Sequence, residues 1–271
     1  MKYLLFFLGA FLAGCSPRAH DFLLGPSLRD QHARALAYGG ILSAVNGESL
    51  DELALGPVTD EIRRANQAML AEWWEVKSRE DFLATLAWIE NGGHRKEFRE
   101  LRWRLESVPV EHLMREIFKD QKDIRGLGRR FVVAQVLRAS RRKGLDIAAW
   151  DFGRYINLCR WGYLSGYVTE QEAWARILPV ARFLQSSFAS WDEFADDYFL
   201  GRAFWSVDQA ENTGDLHRKA YRDLIAQGKW TQESWSSSLG RGEIGRDLYS
   251  LQLGSPNQPP DSNPPNRTGS P

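Results

Sequence analysis

The sequence predicts an all-α fold, a single compact domain of about nine or ten helices, on three observations. Apolar positions recur at helical spacing, as in Phe82, Leu86, Ile89 and in Trp174, Ile177, Ala181, Leu184, Phe188. Hydroxyl residues stand three positions before a carboxylate at Ser78/Asp81, Thr169/Glu172 and Ser190/Glu193, each just ahead of an apolar pattern, which is the signature of a capping box. Alternating strand patterns of useful length are missing. The elements then follow in order. Helices are expected near 28–45, 59–74, 79–91, 94–107, 110–120, 126–143, 147–164, 170–188, 191–205 and 215–227. Asn46-Gly47, Asn91-Gly92-Gly93 and Lys143-Gly144 supply left-handed stops. Pro179 is expected to kink its helix from the polar face.

Composition excludes several function classes. The 271 residues are 43% hydrophobic and 26% charged, an ordinary globular balance. Lys plus Arg and Asp plus Glu both total 35, which argues against a nucleic-acid partner bound through overall charge. Two cysteines exclude a disulfide scaffold and a cysteine-rich zinc site. The histidines show no metal-ligand spacing, glycine-rich phosphate loops are absent, and neither a cofactor nor a metal is expected. Eleven tryptophans suggest a core built on aromatic anchors.

The ends read differently from the middle. Lys2 followed by the apolar run Leu4 to Ala13 is a signal-peptide pattern, too short for a membrane span. Leu12-Ala13-Gly14-Cys15 resembles the lipobox of bacterial lipoproteins, and that resemblance implies a mature chain acylated on Cys15. The expected organisation is a signal peptide over 1–14, an anchor linker over 15–26, a helical domain over 27–253 and a disordered tail over 254–271. The tail holds six prolines and nothing large to bury. Localisation in the bacterial envelope follows as an expectation, with Ser16 after the cysteine favouring the periplasmic face of the outer membrane in a Gram-negative cell.

Charge is uneven although its sum is zero. Residues 119–143 hold nine basic side chains against Asp120 and Asp123, a possible surface for an anionic or envelope partner or a solvated face. Residues 189–215 are acidic and include Asp192, Glu193, Asp196 and Asp197. On a helical wheel, Asp151 and Arg154 fall within the apolar arc of their helix, among Ile147, Tyr155, Leu158 and Trp161. Gly153, Asn157 and Arg160 gather on the side expected to face water. Arg202 likewise falls among Phe194, Tyr198 and Trp205. Buried charges come paired, so Asp151 is expected to pair with Arg154, Arg202 or both. Such a cluster is either a structural clamp or a pocket for a substrate or small anion.

The segments AWDFGRYINLCRWGYLSGYVTEQEAW and SSFASWDEFADDYFLGRAFW resemble the core of the bacterial family called domain of unknown function 1266. EWWEVKSREDFLATLAWIENGGHRKEF is similar to its N-terminal motif, and the likeness runs over residues 34–206. It implies an all-helical fold and no assigned chemistry. Gly93, His94, Arg95, Trp150, Asp151, Arg154, Gly166, Trp174, Trp191, Gly201 and Arg202 stand on its motif positions. No catalytic residue is assigned. His94 is a candidate helix-start cap or a member of the Asp151 network, and Cys159 is expected to be a core thiol. The expected function is a lipid-anchored, non-enzymatic interaction module, with an enzyme or small-anion binder using Asp151, Arg154, Arg202 and His94 as the alternative.

Overall fold

The helices are arranged around one buried member. The computed structural model describes residues 28–138, 146–206 and 214–239. Every regular element there is an α-helix. They are α1 Leu28–Ala37, α2 Gly40–Val45, α3 Asp60–Trp74, α4 Arg79–Glu90, α5 Gly93–Glu106 and α6 Val110–Ile117. Then follow α7 Ile124–Arg138, α8 Ala148–Leu164, α9 Glu170–Ser187, α10 Trp191–Trp205, α11 Gly214–Ala226 and α12 Gln232–Ser236. Cys15, the signal segment, the linker, the tail and the Lys143-Gly144 stop lie outside the described residues. Among those described, no helix is long and apolar enough to cross a membrane.

Capping chemistry sets most boundaries. Ser78, Thr169 and Ser190 each accept from the backbone N–H three residues on, and Thr169 with Glu172 closes a full capping box. Thr59 and Thr231 do the same for α3 and α12. The first expected helix is two, divided at Tyr38-Gly39, where a Cβ on Gly39 would lie 2.7 Å from Asn157 Nδ2. The short α12 carries no periodic signal long enough to see in sequence. Pro179 lies inside α9, which continues through it.

Helix α8 is the axis. It packs on α9 and α10 most extensively, and on α2, α3, α4 and α5 besides. All residues from Ala148 to Gly162 are buried, so α8 has no water side. The expectation for Gly153, Asn157 and Arg160 is therefore corrected. Asn157 takes a hydrogen bond from Ser43 Oγ at 2.8 Å and gives one to the Gly39 carbonyl at 3.0 Å. Arg160 donates to the carbonyls of Ser49, Leu53 and Glu52, fastening the loop after α2 to the core. A helix surrounded by backbone carbonyls can bury polar side chains because each finds a partner.

Seven of the tryptophans are buried, at 74, 150, 161, 191, 205, 230 and 235. Trp191 stacks on Trp230 with centroids 4.3 Å apart and meets Trp235 edge-on at 4.8 Å. These rings, with Tyr38 and Phe194, hold the chain after α11 against α1 and α10.

Candidate functional site

Two buried aspartyl carboxyl groups cap helices other than their own. Asp197 on α10 accepts from the backbone N–H of Ile147 at 3.1 Å and of Ala149 at 2.8 Å, at the start of α8. Ile147 there has φ +62°, a left-handed conformation costly for a β-branched residue, and these two bonds hold it. Asp151 in the first turn of α8 then accepts from the Arg95 backbone N–H at 3.1 Å, at the start of α5. Helix α5 has no side-chain cap of its own. Gly93 takes φ +52°, and a Cβ there would fall 2.4 Å from Asp151 Oδ2, so both conformation and space require glycine. Asp197 belongs to the acidic run in sequence, yet it is fully buried.

Guanidinium groups complete the cluster. Arg95 Nη1 lies 3.0 Å from Asp151 Oδ2, and Arg154 Nη2 lies 3.1 Å from Oδ1. Arg95 rests on the Phe152 ring at 4.1 Å, and Arg154 on the Trp150 ring at 4.2 Å. His94 Nδ1 stands 2.8 Å from Arg154 Nη2 and 3.3 Å from Asp151 Oδ1. A guanidinium nitrogen only donates, so the shorter contact makes Nδ1 an acceptor and puts the imidazole proton on Nε2. A proton on Nδ1 would serve Asp151 but would set N–H against N–H. Burial pulls the His94 pKa down, in keeping with a neutral ring. Burial alone would raise the Asp151 pKa, but the Arg95 and Arg154 cations beside it outweigh that and hold the carboxyl below the usual range.

The structure thus brings together Asp151, Arg154 and His94, with Arg95 as the second guanidinium on the carboxylate. Arg202 does not reach Asp151. It lies over the rings of Trp205 and Trp150, at 5.7 and 5.9 Å from their centroids. Its charged members are closed off, with Asp151 0%, Arg154 1% and Arg95 2% exposed, while the His94 side chain keeps 13% exposure at the edge. Nε and Nη1 of Arg154 and Nε1 of Trp150 are buried without hydrogen-bond partners among the described residues. Arg154 lies over the Trp150 and Trp74 rings, 4.2 and 5.3 Å from their centroids. Cys159 is fully buried and burial pushes its thiol pKa up, the state of an inert core thiol rather than a nucleophile. Cys15 lies outside the described residues.

The basic and acidic stretches meet through backbone. Helix α7 packs on α10, and Arg129 Nε donates to the Phe204 carbonyl at 3.2 Å, at the negative end of α10. Arg129 also pairs with Glu97 on α5.

A second buried pair predicts acid sensitivity. Tyr198 Oη lies 3.0 Å from His217 Nδ1, and burial, then Arg202, lowers the His217 pKa to about 3. A histidine with a folded pKa below its unfolded value of 6.5 contributes stability that is complete above pH 6.5 and lost as pH falls toward 3. The expected loss is about 1.4 kcal/mol per pH unit below 6.5. Asp197 has the opposite sign. Its pKa is raised by burial to about 8, so its contribution is complete below 3.8 and lost as pH rises toward 8. Urea unfolding of wild type and His217→Gln between pH 4.5 and 7 isolates the histidine term. The two should converge toward pH 4.5, and a constant gap would show that His217 does not titrate.

The family described as "Protein of unknown function (DUF1266)" matches residues 69–235, which include both capping carboxylates and all three arginines. A protein of Escherichia coli strain K12, "Uncharacterized protein YbeU", is 29% identical over 150 residues. The match covers 54% of this chain and 61% of the relative, so the chain spans about three-fifths of that protein's length. No solved structure matches the chain. The Gly-His-Arg turn of α5 and the Trp-Asp-x-x-Arg start of α8 are thereby placed within one matched region, and the chain belongs to the DUF1266 family.

Proposed function

We propose that the protein is a lipid-anchored, non-enzymatic interaction module of the bacterial envelope, tethered through Cys15 and binding through the exposed faces of α5, α6 and α7. One observation carries the reading: charged groups that could do chemistry are sealed, whereas large apolar side chains are exposed elsewhere. Trp103, Val110, Met114, Phe118, Ile124 and Phe131 are all exposed, and they fall on three consecutive helices, Phe118 being the C-cap of α6. Helix α7 packs on both α5 and α6. In the chain, Leu12-Ala13-Gly14-Cys15 supports the tether, and Ser16 supports outer-membrane delivery in a Gram-negative cell.

The anchor is tested by growing cells with radiolabelled palmitate. Label should enter the wild type and not Cys15→Ala, and an unlabelled wild type would remove the anchor. The second reading, a small-anion binder, is favoured by the unpartnered donors of Trp150 and Arg154. Millimolar phosphate, sulfate or acetate should leave Tm unchanged against an ionic-strength control. A saturable rise in Tm would favour the anion site instead.

A further inference from the structure

Helix α6 has more apolar surface than the fold covers. Leu113 and Ile117 form its inner edge, and Ile117 is buried. The adjoining row, Val110, Met114 and Phe118 at i, i+4 and i+8, is 81%, 58% and 41% exposed. On α7, Ile124 and Phe131 sit one heptad apart and are also exposed.

The charges around this row are unequal in what they are free to do. Most acids here are committed to the fold: Glu97 to Arg129, Glu106 to Arg102, Glu116 to Lys119. Asp120 and Asp123 accept backbone N–H bonds in the turn before and into α7. That leaves Glu111. The exposed cations Arg104, Arg115, Lys122 and Arg125 have no acidic partner among the described residues. Exposed apolar side chains flanked by uncommitted cations are the composition of a face that lies in a lipid interface, with the rings and Met among acyl ends and the cations among phosphates.

From this we infer that the α5–α7 face docks on an anionic phospholipid surface. The inference rests on the interaction-module reading and names the partner of the same face. If Cys15 is acylated, the twelve residues between Cys15 and Leu28 allow at most about 45 Å between the anchor and the first helix. A tether also makes the docking step intramolecular, so a weak surface suffices.

The test uses the full chain on vesicles of phosphatidylcholine with phosphatidylglycerol, doped with a photoactivatable phospholipid, and maps adducts by mass spectrometry. Adducts are expected within 103–131, and pure phosphatidylcholine should lower them severalfold. Lys122→Glu with Arg125→Glu should weaken labelling about tenfold or more. Val110→Asp with Met114→Asp, at exposed positions that leave the core intact, should abolish it. Adducts confined to residues before 28 would overturn the docking face while leaving the anchor standing. Adducts within 103–131 on a chain without acylated Cys15 would support the face independently of the anchor. Equal labelling on both vesicle types, or labelling of the face only by an acidic protein cross-linked to it, would also overturn the lipid assignment.

Discussion

Replacing Asp151 by Asn is expected to destabilise the fold by about 3–5 kcal/mol, because it leaves two buried guanidiniums without their carboxylate. The side chain is nearly isosteric, so the loss is electrostatic. Asp151 joins the N-terminus of α5, Arg95 and Arg154 in one set of bonds, and none of the three has water to fall back on. The amide brings an N–H₂ group into a site populated by donors, which leaves at least one buried donor unmatched. Urea unfolding followed by circular dichroism would read the loss as a lower midpoint at unchanged m. A shift equivalent to less than about 1 kcal/mol, the range of an exposed pair, would show that the cluster is not holding α5 against α8.

Gly201→Ala should be the next most severe, for a steric reason. A Cβ at Gly201 would lie 2.2 Å from Trp150 Cβ and 3.0 Å from Ile147 Cβ. Those atoms are fixed to the α8 backbone and cannot swing away as a flexible side-chain end could. The helices α8 and α10 would have to separate, moving the Asp197 cap as well. Overpacking of this kind costs about 3 kcal/mol, against about 1 kcal/mol recovered from the better helix propensity of alanine. A net loss of about 2 kcal/mol is the expected result in urea unfolding. Gly153→Ala is the comparator: its Cβ would meet the Tyr38 carbonyl at 3.1 Å, tight but short of overlap, so its net effect should be much smaller. If the two variants unfold alike, the close approach at Gly201 is not the restraint it is taken to be.

How much of this is legible in sequence depends on where the determining force is local. Ser78, Thr169 and Ser190 reveal themselves because a cap acts within one turn. Asp151 and Arg154 are legible because a charge inside an apolar arc has no solvated alternative. Arg95 is not, because Lys96, Arg99, Arg102 and Arg104 around it read as a solvated basic face. Its position three before Phe98 is the only local signal. Arg202 shows the converse: its inward direction is legible, but its neighbours Trp150 and Trp205 are not, since the partner choice depends on interhelical spacing. Asn157 and Arg160 mislead for the same reason. Polarity marks a water-facing side only when no tertiary carbonyls lie opposite, and here Gly39, Ser49, Glu52 and Leu53 do. Asp197 is concealed in an acidic run although it caps α8.

The central claim is that the polar cluster holds the fold while the α5–α7 face makes contact with a partner. Urea stability and lipid adducts read on the same two variants test it most directly. Asp151→Asn should lower the unfolding midpoint sharply, and under conditions where it stays helical it should keep its adducts within 103–131. Val110→Asp with Met114→Asp should keep the wild-type midpoint and lose those adducts. The reverse pattern, with Asp151→Asn at wild-type stability but without adducts and the surface variant labelled normally, would contradict the account and make the buried cluster the working site.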